Sequence, residues 1–158
     1  VNAVYNQANM VLIVLDNSTT AMTGHQPHPG TGQTVMGEIV QKINIEQVLR
    51  GIGVTEIETI NPLELEASVS CVKRMAEKTG VRAIIFKAPC IAVTKPKAPL
   101  HVDQDSCIGC KKCIRDLGCP AIVMNDGKIC IDASMCTGCH LCSQVCPVCA
   151  IAGGDDHE

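Results

Sequence analysis

The chain has 158 residues, 46% of them apolar, with 13 basic and 16 acidic side chains, which is enough for one ordinary domain or two small ones but not for a large core. Tyr5 and Phe86 are its aromatics and the net charge is −3, so it lacks both the stacking platforms and the positive field that binding to nucleic acid needs. No run approaches the ~20 apolar residues that span a bilayer and no segment reads as a signal peptide, so a soluble, cytoplasmic protein with neither membrane nor nucleic-acid partner is expected.

In chain order, Met10-Val-Leu-Ile-Val-Leu15 is a continuous apolar run ending in Asp16-Asn17, which predicts a buried parallel strand that delivers a polar loop. Residues 18–34 are rich in Thr, Gly, His and Pro, too irregular for an element and long for a simple connection, so chemistry is expected there. A short helix is predicted from Asn44 to Arg50, stopped at Gly51-Ile-Gly53, and then a strand from Thr55 to Ile60. A longer helix follows, with Asn61 as its cap, Pro62 in the first turn, an apolar stripe of Leu63, Leu65, Val69, Val72 and Met75, and Gly80 as its stop. Val81 to Phe86 is a further apolar strand, and Cys90 beyond it reads as a small core residue, with a place facing a site as the alternative. The order is that of an α/β domain, whose ligands sit where loops leave the carboxyl ends of the strands.

Residues 93–99 have no periodicity, and Lys95-Pro-Lys-Ala-Pro99 predicts a stiff, solvated linker, which divides the chain into residues 1–99 and 100–158. The charge divides as well, at +1 for residues 1–100 and −4 for the remainder. Ten of the twelve cysteines lie between Cys107 and Cys149. Cys107-Ile-Gly-Cys110-Lys-Lys-Cys113 is echoed by Cys136-Thr-Gly-Cys139-His-Leu-Cys142, and each is followed by a Cys-Pro pair, Cys119-Pro120 and Cys146-Pro147. Between the two halves, Asn125-Asp126-Gly127 predicts a hairpin turn joining Ile122–Met124 to Lys128–Ile131.

Three cysteines at two-residue spacing wrap one cubane, and the fourth ligand must come from elsewhere because a tight loop cannot reach all four irons. The expected module is therefore small, α+β, and holds two 4Fe-4S clusters. One would be bound by Cys107, Cys110, Cys113 and Cys146, and the other by Cys136, Cys139, Cys142 and Cys119. Zinc uses paired Cys-x-x-Cys units without the third cysteine or the Cys-Pro, and a disulfide scaffold belongs to secreted chains. The first motif has five residues rather than three between Cys113 and Cys119, so a local bulge is expected there. Gly109 and Gly138 leave room for backbone N–H groups to approach the cluster sulfides. Cys130 and Cys149 fall outside the repeat and read as buried structural thiols, with a ligand role as the alternative; Lys111, Lys112 and Arg115 read as a solvated face, with partner docking as the alternative. Bound clusters would add about −4 to this half, giving it a negative field. The acidic residues 155–158 read as a frayed terminus.

The loop Asp16-Asn17-Ser-Thr19-Thr20-Ala-Met22-Thr23-Gly24-His25-Gln26-Pro27-His28-Pro29-Gly30 resembles the thiamine-diphosphate loop of the 2-oxoacid:ferredoxin oxidoreductases, most closely their indolepyruvate branch. The resemblance covers essentially the whole chain, because the larger subunit there ends in this domain followed by a two-cluster ferredoxin domain with the same lengthened first motif. It implies that residues 1–99 are the C-terminal part of a thiamine-diphosphate-binding domain. It also implies that Mg2+ joins the diphosphate to the protein through the Asn17 side chain and the Thr19 main chain, oxygen donors of the kind magnesium prefers. Met22, Thr23 and Gly24 would then lie near the thiazolium, with His25 or His28 contacting substrate or carrying protons, unless they serve only to fold the loop. The family's Gly-Asp-Gly aspartate is not in this sequence, and the chain reads as the C-terminal piece of a longer subunit, weak on its own as a cofactor binder. The implied reaction is oxidative decarboxylation of an aryl 2-oxo acid to its acyl-CoA, with coenzyme A, a second (beta) subunit and external ferredoxin as partners. The other readings are a pyruvate-type enzyme and a stand-alone electron-transfer module. Met22 and the His25–Pro29 run favour the aryl substrate.

Overall fold

The structure, a computed structural model, describes residues 1–153. The acidic segment 155–158 lies outside the described residues. The chain forms two compact units, Val1–Thr94 and Lys95–Glu158. Among the described residues no helix is long and apolar enough to cross a membrane.

The first unit is a three-stranded parallel sheet in the order β1-β3-β2, made of β1 (Met10–Asp16), β2 (Glu56–Ile60) and β3 (Val81–Lys87). Helix α3 (Leu65–Glu77) covers one face, where Cys71 and Met75 pack on Ile84, with Val11, Ile60 and Phe86 around them. On the other face α1 (Asn2–Tyr5) and α2 (Ile45–Gly51) bring Val4 and Leu49 against Ala83 and Ile85. The central strand β3 is the buried one, as its apolar run predicts. The first strand differs from expectation. It is parallel, but it lies at the sheet edge and Leu15 is 75% exposed, because a continuous apolar run is sufficient to form a strand without deciding whether both its flanks are covered.

Asn44 caps α2, its side-chain oxygen accepting from the Gln47 N–H at 3.1 Å. At α3 the expected cap and stripe are corrected. Asn61 closes a turn instead, accepting from the Leu63 N–H, and the helix starts at Leu65. Its buried face is Ser68, Cys71 and Met75, while Leu63, Val69 and Val72 are exposed. The side chains three and seven positions apart share the inward face, and a cysteine and a serine occupy it where the reading favoured valines. The helix ends against a buried cation, Arg82, which donates to the carbonyls of Met75 (3.0 Å) and Gly80 (2.6 Å).

The second unit pairs its first and last strands, β4 (Leu100–Val102) with β7 (Ile151–Gly153), antiparallel. Between them lie α4 (Lys112–Leu117), the hairpin β5 (Ile122–Asn125) and β6 (Lys128–Ile131), and α5 (Leu141–Val145). The hairpin turns on Asp126 and Gly127, both left-handed (φ 49° and 78°), the mirror-image turn that the strand twist favours.

Candidate iron–sulfur and thiamine sites

The sequence repeat is a structural repeat. In each half a glycine in left-handed conformation follows the first cysteine, Gly109 (φ 65°) and Gly138 (φ 68°), and a left-handed residue precedes the helix, Lys111 (φ 60°) and His140 (φ 61°). These kinks curl each loop, and Cys113 and Cys142, just inside the two helices, are buried. Upstream, Asp103 and Asp132 brace the loops in the same way. The carbonyl of each accepts from the first cysteine's N–H at 3.0 Å, and each carboxylate accepts from a serine hydroxyl, Ser106 or Ser134, which holds it below the usual carboxylate range. Reading only the cysteines missed these aspartates. The signal was present, since each aspartate sits four positions before a first cysteine.

Cys107, Cys110, Cys113 and Cys146 line one small cavity whose wall is otherwise mostly apolar, including Ile129 and Pro147. Burial pushes the Cys113 thiol up, and neighbouring Cys110 and Cys146 add to this. Burial likewise pushes Cys142 up to about 11, with Cys139, Cys136 and Cys119 contributing. The cysteines therefore fall into two quartets, each drawing one member from the other repeat. Of the two extra residues before Cys119, one makes α4 a residue longer than α5 and the other is Gly118 at its end. The chain turns at Gly118 (φ 58°), and Cys119 beyond it lies near Cys142 of the second quartet. All twelve cysteines are free thiols. Among the described residues no three His, Cys, Asp or Glu side chains converge as ligands of a single ion do. Four soft donors spread around an apolar cavity fit a cluster with an iron at each corner. Cys149 is exposed in a left-handed conformation, Cys130 lies half-buried on β6, and Cys90 is half-buried at the start of a short turn.

In the first unit, Asp16 and Asn17 end β1 at the carboxyl edge of the sheet, and the turn is tightly tied. Asp16 accepts from the Ser18 N–H at 3.0 Å, Asn17 Oδ1 accepts from the Thr19 N–H at 3.2 Å, and the Asn17 carbonyl accepts from the Cys90 N–H at 2.9 Å. Thr19 is buried. This is an all-oxygen donor set, suited to a hard cation. Beyond it, a bridge from Thr20 to Gln26 closes a tight loop that carries Met22, Thr23 and Gly24. Met22 is fully exposed, and the Thr23 hydroxyl donates to the Gln26 side chain at 2.6 Å. The two histidines differ. His28 Nδ1 accepts from the Gly30 N–H at 3.1 Å, which commits that nitrogen to folding the loop, whereas His25 is exposed. A cavity of mixed character opens at the same edge of the sheet, lined by Asp16, Lys42, Glu46 and Lys87 on one hand and Ile43, Ile45 and Ile85 on the other.

Comparison with known proteins agrees with both halves. Residues 1–86 match the family described as thiamine pyrophosphate enzyme, C-terminal TPP binding domain, and residues 100–147 match the 4Fe-4S dicluster domain. The chain is 44% identical over 153 residues to the indolepyruvate oxidoreductase subunit IorA of Methanothermobacter thermautotrophicus, covering 96% of this chain and 25% of that protein. The proteins of the same name from Archaeoglobus fulgidus (40% identical, 96% and 25%) and Thermococcus kodakarensis (41% identical, 92% and 24%) also match. The chain thus spans about a quarter of the length of these relatives. No solved structure matches it significantly. With the first match covering more than half of its length, the chain belongs to the thiamine pyrophosphate enzymes and joins their C-terminal TPP-binding domain to a 4Fe-4S dicluster domain.

Proposed function

We propose that this chain is part of a thiamine-diphosphate-dependent oxidoreductase. It would decarboxylate an aryl 2-oxo acid oxidatively to the acyl-CoA and pass the electrons through two 4Fe-4S clusters to ferredoxin. The observation that carries the reading is the pairing, within one chain, of a TPP-binding sheet edge with two cysteine quartets. Thiamine diphosphate, when bound, supplies the electron sink for decarboxylation, and the clusters accept electrons singly. Asn17 Oδ1 and the Thr19 carbonyl would hold Mg2+, and the Asx turn between them keeps the amide oxygen oriented. The loop from Met22 to Gly24 would shape the pocket, and His25 would contact the substrate or carry a proton. His28 would position the loop through Gly30. The cysteine quartets are Cys107, Cys110, Cys113 and Cys146, and Cys136, Cys139, Cys142 and Cys119.

The name of the relatives, each an indolepyruvate oxidoreductase subunit, supports an indolepyruvate-type substrate and an assembly with a second (beta) subunit, and on the same reading coenzyme A is the co-substrate. On this reading the protein works in the reducing cytoplasm, where cysteine ligands of this kind are kept from pairing as disulfides. The test begins with iron, acid-labile sulfide and EPR after dithionite reduction of anaerobically purified protein, followed by ferredoxin reduction by the whole enzyme with indolepyruvate or pyruvate. Two spin-coupled clusters and an indolepyruvate preference are expected. A pyruvate preference would move the enzyme to the pyruvate branch. Clusters without 2-oxo acid turnover would leave an electron-transfer module, and zinc in place of iron would end the reading.

A further inference from the structure

The segment Lys97–Leu100 has the composition of a solvated linker, yet its backbone is fastened onto the second cysteine loop. The Lys97 N–H donates to the Thr137 carbonyl at 3.2 Å, and the Leu100 N–H donates to Cys136 Sγ at 3.5 Å. Leu100, only 3% exposed, anchors the end of the segment through its pairing with Gly153. Between these two bonds the segment lies directly on Gly138. A Cβ at Gly138 would stand 2.7 Å from the Ala98 carbonyl oxygen and 2.7 Å from Lys97 Cβ. In the first lobe the equivalent glycine, Gly109, has the same left-handed backbone, but a Cβ there would meet open space. The two lobes are alike in their cysteines and unlike in their cover.

We propose that Lys97–Leu100 is a positioning strap that raises the redox potential of the cluster held by Cys136, Cys139, Cys142 and Cys119. The other quartet has a sulfur bond of its own, from the Ala150 N–H to Cys146 Sγ at 3.3 Å, but that donor lies four residues from its ligand and comes with no cover over Gly109. The proposal rests on the reading that Cys136, Cys139, Cys142 and Cys119 hold a cluster. A cluster gains negative charge on reduction, so an N–H aimed at a ligand sulfur stabilises the reduced form and raises the potential. The Leu100 N–H is such a donor, delivered from 36 residues upstream of the ligand. Gly138 is what allows the strap to approach.

Two experiments on the full chain with assembled clusters test this. In the first, the α-hydroxy analogue of leucine at position 100 deletes that N–H and keeps the side chain, and an EPR-monitored redox titration then reads both midpoint potentials. The expected result is unchanged iron and sulfide, a downward shift of one potential, and no change in the other. Full iron with both potentials unmoved overturns the strap and leaves the cluster assignment standing. Parent protein that holds no cluster at the second quartet overturns the underlying reading instead, and the strap with it. In the second experiment, iron loss to a chelator is followed in Gly138→Ala and Gly109→Ala, which share the left-handed backbone strain. Faster loss from Gly138→Ala is expected, and equal rates overturn the proposal.

Discussion

At the residue scale the two quartets make a sharp demand. If, as proposed, each remote cysteine serves the cluster of the other repeat, Cys119→Ser should remove the cluster bound by Cys136, Cys139 and Cys142 although it follows the first motif in sequence. Cys146→Ser should remove the other. Iron content by element analysis should fall by half in each variant, and EPR of either should lose spin coupling. Pairing within one repeat predicts instead that Cys119→Ser and Cys107→Ser give the same residual spectrum. The grouping of these cysteines was legible in the sequence because it follows from which residue type recurs at which spacing. Asp103 and Asp132 were legible too, at a fixed offset from each first cysteine, but their carboxylates brace the loop and never reach the ligand sphere, so a search for ligands passes over them. His28 shows the converse. Its residue type suggested chemistry, and the structure commits Nδ1 to the Gly30 N–H.

At the element scale, α3 separates what periodicity can show from what it cannot. The helix was legible, and Met75 of the expected stripe is in the core, but Val69 and Val72 are exposed because Ser68 and Cys71 take inward positions that hydrophobicity alone assigns elsewhere. Met75, fully buried against Ile84, should therefore cost about 2–5 kcal/mol when cut to alanine, while Val72→Ala should cost less than about 1 kcal/mol. Denaturant midpoints of the two variants decide between the faces. The same helix is tied to β2 by Arg74, whose guanidinium contacts Glu58 at 2.6 Å and holds that carboxyl below its usual range, with the buried Cys71 thiol also bonded to it. A carboxyl with a lowered folded pKa stabilises the fold above its unfolded pKa, and that contribution is lost as pH falls through the folded value. The pair is half in solvent, so the effect is small. Parent protein and Arg74→Ala should differ most near neutrality and converge as the pH drops below the ordinary carboxyl value of 4.5, read from thermal midpoints across pH.

At the scale of the whole molecule, the division of labour follows from where each set of ligands lies. All eight thiolates of the two quartets belong to the unit Lys95–Glu158, as do the Lys97 and Leu100 N–H groups fastened onto the second loop. Composition alone placed the end of the linker at Pro99. Two prolines and two lysines, all exposed, gave no sign of the strap, because it acts through backbone groups that every residue carries and that leave no mark on the sequence. A piece beginning at Lys95 should hold both clusters with the potentials they have in the full chain. A piece beginning at Leu100 keeps every cysteine and the β4–β7 pairing but loses the Lys97 N–H bond to Thr137 and the cover over Gly138. It should still load both clusters, then release iron from the second quartet faster than from the first, and potentiometry should find that one midpoint displaced while the other stays. If the two pieces behave alike, residues 95–99 are a tether and nothing more. If they diverge at one cluster only, the boundary of the electron-carrying unit lies at residue 95, where the fold puts it.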